Sequence, residues 1–232
     1  MNIVITGASK GIGKAIAEAF AQAGYTLLLG ARGELDLYNT VAHLQTNYPT
    51  CEVHAQTVDV SNKQQVQAFA NWCLSYGTPD IVVNNAGSFV PGAIHKENDD
   101  ILETLMATNV YSAYFLTKAL LPAMMKQQSG SIFNICSIAS LKAYSNGGSY
   151  SISKFALLGF SKNLREELMP HGIKVCAVIP GAVYTDSWSG SGVSESRIME
   201  AADIAKMVFA AAHLSPQAVV EDIVLRPQLG DL

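Results

Sequence analysis

Apolar and polar positions along this chain change period again and again. Short, mostly apolar runs alternate with longer stretches in which apolar residues recur every three or four positions. The first pattern suits strands buried on both faces, and the second suits helices packed along one side. Ile3–Thr6, Tyr25–Ala31, Cys51–Val58, Asp80–Asn84, Ser131–Cys136, Lys174–Ile179 and Val219–Leu225 predict strands. Gly13–Ala23, Leu35–Asn47, Gln64–Tyr76, a long stretch from about Asp100 to Gln127, Tyr150–Met169 and Asp203–Leu214 predict helices. Strict strand–helix alternation with short turns predicts an α/β fold. The expected architecture is a doubly wound parallel sheet of about seven strands, order 3-2-1-4-5-6-7, with helices on both faces. With no repeat, low-complexity tract or linker, residues 1–232 are expected to form a single domain. Ser187–Ser196, rich in Gly and Ser, breaks the alternation, so residues 184–202 are expected to form a short lid.

Composition narrows the function classes. Hydrophobic residues make up 49% and charged residues 15%, which suits a large buried core rather than disorder. The formal net charge of −4 comes without a Lys/Arg block, so nucleic acid is not the expected partner. No apolar run reaches membrane-spanning length, and the amino terminus lacks a basic leader. Cys51, Cys73, Cys136 and Cys176 are scattered and form no C-x-x-C, and the five histidines show no ligand spacing. A reduced, cytoplasmic protein without a metal site is the expectation.

The chemistry concentrates where strands end. Thr6-Gly7-Ala8-Ser9-Lys10-Gly11-Ile12-Gly13 joins the first strand to the first helix. Glycines there let the backbone turn sharply and approach a pyrophosphate, whose charge the helix amino terminus stabilises. The spacing is G-x-x-x-G-x-G; its place on the first crossover makes it a dinucleotide signal. The second strand ends at Arg32 and carries no carboxylate for a ribose hydroxyl. Arg32 could instead pair with a 2′-phosphate, with Lys10 adding a second positive charge, so NADP(H) is expected over NAD(H). Asp59 ends the third strand and could accept from an adenine amino group. Asn84-Asn85-Ala86-Gly87 ends the fourth; it could pack against the adenine side of the cofactor or simply close the strand.

Ser137 follows the fifth strand, and Tyr150 and Lys154 share one face of the next helix, four residues apart. A phenol beside an ammonium is expected to have a lowered pKa and to exchange protons near neutral pH. A Tyr-x-x-x-Lys pair alone is more often an exposed helix face, so its weight rests on the cofactor signals around it.

Taken together, TGASKGIG, Asp59, NNAG, Asn109, Ser137, Tyr150-x-x-x-Lys154 and Pro180-Gly181 followed by Thr185 resemble the short-chain dehydrogenases/reductases. The motifs stand in that family's order across essentially the whole chain. The resemblance implies a Rossmann-type fold and hydride transfer between a nicotinamide and a carbonyl or alcohol. It implies Tyr150 as catalytic acid/base and Ser137 on the substrate oxygen. Lys154 would bind the nicotinamide ribose and lower the tyrosine pKa, and Asn109 would hold a relay water. Around the cofactor it places Thr6, Gly7, Ser9, Gly11, Ile12, Gly13, Val60, Asn85, Ala86 and Gly87, with Pro180, Gly181, Val183 and Thr185 on the nicotinamide side. Phe89, Ile138, Tyr144, Tyr184 and Trp188 are candidate substrate contacts; core or lid packing is the competing reading. Similarity to 3-oxoacyl-carrier-protein reductases equals that to carbonyl reductases. An acyl-carrier partner would need a basic rim, for which Lys126, Lys162 and Arg165 are candidates. Homodimers or homotetramers are implied. Running as an alcohol dehydrogenase, or as a silent dinucleotide-binding protein, are the alternatives.

Overall fold

The computed structural model describes residues 1–185, 188 and 192–232. Strands β1 (Asn2–Thr6), β2 (Thr26–Ala31), β3 (Val53–Thr57), β4 (Ile81–Asn84), β5 (Gly130–Ile135), β6 (Ile173–Pro180) and β9 (Asp222–Leu225) make one wholly parallel sheet. Its order is β3-β2-β1-β4-β5-β6-β9. The expected Rossmann-type topology is therefore present. Two two-residue strands, β7 (Val183–Tyr184) and β8 (Met199–Glu200), pair with each other outside the sheet.

The alternation of side chains along each strand divides the core into two layers. On β1, Ile3 and Ile5 face α1 (Gly11–Gln22), α2 (Glu34–Asn47) and α7 (Ala201–Ala212), packing with Phe20, Leu37 and Ile204. Val4 faces the other way, among Phe69, Leu116 and Leu164 of α3 (Lys63–Ser75), α5 (Ser112–Gln127) and α6 (Gly148–Leu168). Ile3, Val4 and Ile5 are fully buried, and each such side chain contributes roughly 1.5–3 kcal/mol through burial. Central strands therefore read as unbroken apolar runs.

Two boundaries depart from the periodicity. The long helix begins as α4 (Ile101–Met106), widens into a π-helical turn over Ala107–Tyr111, and continues as α5. Hydrophobic period does not register such a widening, because the buried face persists through it. The last strand starts at Asp222 rather than Val219: Val220 packs against the core without joining the ladder. Of the expected lid, residues 186, 187 and 189–191 lie outside the described residues. Next to them, Arg197 donates to the backbone carbonyls of Leu229 and Gly230 at 3.5 and 3.1 Å. No helix among the described residues is long and apolar enough to cross a membrane.

Candidate active site

The order of strands reverses between β1 and β4, and a cleft of about 990 Å³ opens beyond their carboxyl ends. One wall is the turn from β1 into α1. Gly7 and Gly11 have φ of +64° and +53°, which side-chain-bearing residues rarely adopt. A Cβ on Gly13 would strike the Gly7 carbonyl and the Asn85 amide, so the turn closes only around glycine. No side chain caps the start of α1, and its first turn holds no acidic residue. Its leading N–H groups are thus suited to an anion, as a pyrophosphate requires.

The NNAG segment braces this turn. The Asn85 side-chain amide donates to the carbonyls of Thr6 and Gly7 at 2.9 and 3.0 Å. The N–H groups of Asn85 and Ala86 donate to the Thr6 hydroxyl, each at 3.1 Å. Thr6 itself is buried and stands behind the cleft wall. Its hydroxyl is committed to holding the turn. Gly13 likewise acts by packing and is not on the cleft wall. Ser9, Ile12, Asp59, Val60, Ala86 and Gly87 do line it, as do Pro180, Gly181, Val183 and Thr185.

Arg32 and Lys10 stand at the far end of the cleft, together with a residue the motifs did not mark. Asp36, in the first turn of α2, pairs with Lys10 at 2.9 Å. Both partners are about half exposed, so the pair contributes little to stability. Its importance is local: it places a carboxylate beside the two cations. Asp59 accepts from the Ser61 hydroxyl and N–H on one oxygen, at 2.7 and 3.0 Å. Those bonds hold its carboxyl below the usual range, against the opposing effect of burial.

At the other end lie Ser137, Tyr150 and Lys154. A short 3-10 turn at Ile138–Ser140 fixes Ser137: its hydroxyl accepts from the Ala139 N–H, while its own N–H donates to the Ser140 hydroxyl. Lys154 is buried and donates to the Ile135 carbonyl at 2.9 Å. Its ammonium sits 5.8 Å from the centre of the Tyr150 ring. Asn109, in the π-helical turn, is buried behind the cleft wall. Its side chain accepts from the Ser88 N–H at 2.7 Å and donates to the Ser88 carbonyl and the Ser153 hydroxyl.

The expected lowering of the Tyr150 pKa is not what this geometry gives. Burial pushes the phenol up, a hydrogen bond with Ser137 pulls it down, and burial dominates. Burial also lowers the Lys154 pKa, with Cys136 opposing. Both groups lie in a place that penalises charge, so the ammonium gives the phenolate little help. Burial thus favours the neutral phenol in the protein without cofactor.

Among the substrate candidates, Phe89 meets Tyr150 edge to face with centroids 4.8 Å apart, and Ile138, Tyr144 and Trp188 also line the cleft. Tyr184 does not. It follows inward-facing Val183 on β7 and therefore points outward, 38% exposed. Lys142 and Asp231 join the cleft's rim without having been marked. Asp231 arrives because the chain after β9 folds back over Gly181, where Arg226 pairs with its carboxylate. No local pattern announces that. Of the three rim cations suggested for a carrier protein, Lys162 pairs with Asp222 at 2.5 Å and Arg165 with Glu221 at 3.0 Å.

The family model for short chain dehydrogenases matches residues 1–194. A sepiapterin reductase from Chlorobaculum tepidum is 34% identical, over 99% of this chain and 97% of its own. An archaeal alcohol dehydrogenase from Thermococcus sibiricus, solved with 5-hydroxy-NADP, superposes with a TM-score of 0.90 at 29% identity, covering 98% and 96% of the two chains. A metagenomic short-chain oxidoreductase solved with NADP superposes at 0.85 with 31% identity, covering 98% and 97%. The glycine turn and the Ser137, Tyr150 and Lys154 cluster occupy one cleft in a chain with these relatives; the chain belongs to the short chain dehydrogenase family of oxidoreductases.

Proposed function

We propose that this protein is an NADP(H)-dependent reductase of a small, apolar, partly aromatic ketone or aldehyde. The observation that carries the reading is the continuity of the cleft, which joins the glycine turn and Arg32 to Ser137, Tyr150 and Lys154. The uncapped start of α1 would hold the pyrophosphate, and Arg32 with Lys10 the 2′-phosphate. When bound, the dinucleotide supplies the hydride. Lys154 would hold the nicotinamide ribose, and Thr185 with the Pro180-Gly181 turn would flank the carboxamide. Ser137 would direct the substrate oxygen, and Tyr150 would donate its proton to that oxygen as negative charge develops. The place of the phenol beside Ser137, on the wall of the same cleft, suits the donor role.

The pairing of Lys162 and Arg165 with acids favours a free small molecule over an acyl group on a carrier protein. Tyr111, Tyr114, Ile152 and Phe155 leave apolar surface exposed on α5, α6 and the turn before α5, which supports pairing of copies along these helices.

A panel of aliphatic and aromatic carbonyl compounds with NADPH tests the reading. Tyr150→Phe is expected to lose turnover by about 10²–10⁴-fold while its NADPH affinity, read by fluorescence titration, stays within threefold. Turnover near wild type would remove the assignment. The same variant tests the protonation claim in the free protein. Because the folded pKa is raised above its ordinary 10.0, the phenolate absorbance of wild type and Tyr150→Phe should coincide up to that pH. A difference emerging near neutrality would restore the lysine-dominated expectation.

A further inference from the structure

The helix that carries Tyr150 begins without a cap of its own. Gly147 precedes it and offers no side chain to the orphan N–H groups of the first turn. One of them, the Ser149 N–H, is met from 52 residues away in the sequence. The Glu97 carboxylate accepts from the Ser149 N–H at 3.0 and 3.3 Å and from the Ser149 hydroxyl at 2.5 Å. Ser149 is only 4% exposed and is covalently next to Tyr150.

The backbone around this contact is built for close approach. Gly148 has φ of +35°, and a Cβ there would run into the Glu97 carboxylate and the Gly92 carbonyl. The Gly92 N–H donates to the Asn146 carbonyl at 2.9 Å, and Asn146 is itself left-handed at φ 60°. The segment between β4 and α4 is thereby pinned to the segment leading into α6.

That same segment grips α6 at two further points. Ser88 braces Asn109, whose amide donates to the Ser153 hydroxyl, and that hydroxyl donates to the Tyr150 carbonyl at 2.7 Å. Phe89 sits edge-on against the Tyr150 ring. The backbone flanking Tyr150 is therefore held on both sides: Glu97 of this segment grips the N–H of the preceding residue, and Asn109 of the π-helical turn, through Ser153, grips the Tyr150 carbonyl.

We propose that Glu97 is a positioning residue, whose carboxylate fixes the first turn of α6 and so aims the Tyr150 hydroxyl at the oxygen that Ser137 directs. The proposal rests on the reading of Tyr150 as proton donor. A carboxylate suits this place because it accepts two bonds at once and faces the positive end of the helix dipole. It acts through the backbone and touches no reacting atom.

The test uses the full chain, NADPH and the panel carbonyl compound turned over fastest by wild type. Glu97→Ala is expected to lower kcat by about 10²-fold, with the carbonyl KM and the NADPH Kd within threefold, as expected for a misplaced catalytic group. Glu97→Gln keeps one acceptor oxygen and is expected to recover about tenfold of that loss. In the protein without cofactor, amide exchange at residues 148–154 should speed up in Glu97→Ala and return towards wild type in Glu97→Gln. A wild-type kcat in Glu97→Ala, or exchange unchanged at 148–154, overturns the proposal. If Glu97→Ala does not fold, Ser149→Ala removes only the hydroxyl bond and should lower kcat about three- to tenfold, by the same misplacement; an unchanged kcat overturns it equally. Should Tyr150→Phe retain turnover, the donor reading itself falls, whatever the Glu97 variants do.

Discussion

The two ends of the cleft are made of different material. The end beyond β1 is mostly backbone: two left-handed glycines, an uncapped helix start, and the Asn85 amide that ties the turn shut. The end beyond β5 and β6 is side chains: Tyr144 and Lys142 from the segment after Ser137, Trp188 beyond β7, and Asp231 from the chain after β9. Backbone geometry tolerates few residue types, so the first end has one chemical meaning. A wall assembled from three separate segments can be rebuilt residue by residue without disturbing the fold. On the proposed reading, the first end would hold the cofactor common to the family, and the second would set which compound is accepted.

The sharpest way to break this contrast is to fill the space the glycine turn requires. In Gly13→Val the added side chain meets the Gly7 carbonyl and the Asn85 amide, backbone and a braced group that have no room to retreat. We expect NADPH affinity to fall by about 10²-fold or more, since overpacking of this kind costs about 1–3 kcal/mol or above and acts where the phosphates would sit. Fluorescence titration reads it. Affinity within threefold of wild type would mean the turn is not the pyrophosphate site.

Arg32→Ala probes the same end more gently. A charge-assisted bond to a phosphate is worth about 1.5–3 kcal/mol, so NADPH affinity should drop roughly ten- to a hundredfold while NADH affinity stays within twofold. Asp36 makes the outcome informative. Its carboxylate lies beside the two cations and is paired with Lys10, so a 2′-phosphate would lean on Arg32 more than on Lys10. Equal loss for both cofactors would show that Arg32 supports the cleft's shape rather than reading the 2′-phosphate.

How much of this the chain announced follows the same division. β1, β2, β4, β5 and β6 were legible because sheets covered on both faces demand continuous apolar runs, and the glycine turn was legible because each glycine meets a steric need. Ser137, Tyr150 and Lys154, which share the cleft, were marked by their places on elements that periodicity predicts. The bracing role of Thr6 was not legible, since only coordinates show its hydroxyl turned to Asn85 and Ala86. Tyr184 was misread because a two-residue strand carries too little alternation to say which side faces in. Asp231 and Glu97 were invisible: each acts through a fold-back or a long-range bond that no local pattern encodes. The pKa of Tyr150 went the wrong way for a related reason. Sequence spacing shows a neighbouring ammonium but not the loss of solvent around both groups.

The smallest effect belongs to the substrate end, and its selectivity is the point. Tyr144 lines the cleft yet remains 44% exposed, so it supplies one face of the wall without supporting the core. Tyr144→Ala should leave the melting temperature within about 2 °C, as expected for a change away from the buried core. NADPH affinity should stay within twofold, because the glycine turn and Arg32 lie at the other end. What should move is the order of preference in the carbonyl panel. Losing one half-buried aromatic contact costs about 1 kcal/mol, which raises KM roughly fivefold for aromatic ketones and leaves small aliphatic ones nearly unchanged. If aromatic and aliphatic compounds shift together, Tyr144 shapes the cleft as a whole. If NADPH affinity falls with them, the two ends are not separable, and the division between a fixed backbone site and an exchangeable side-chain wall fails for this protein.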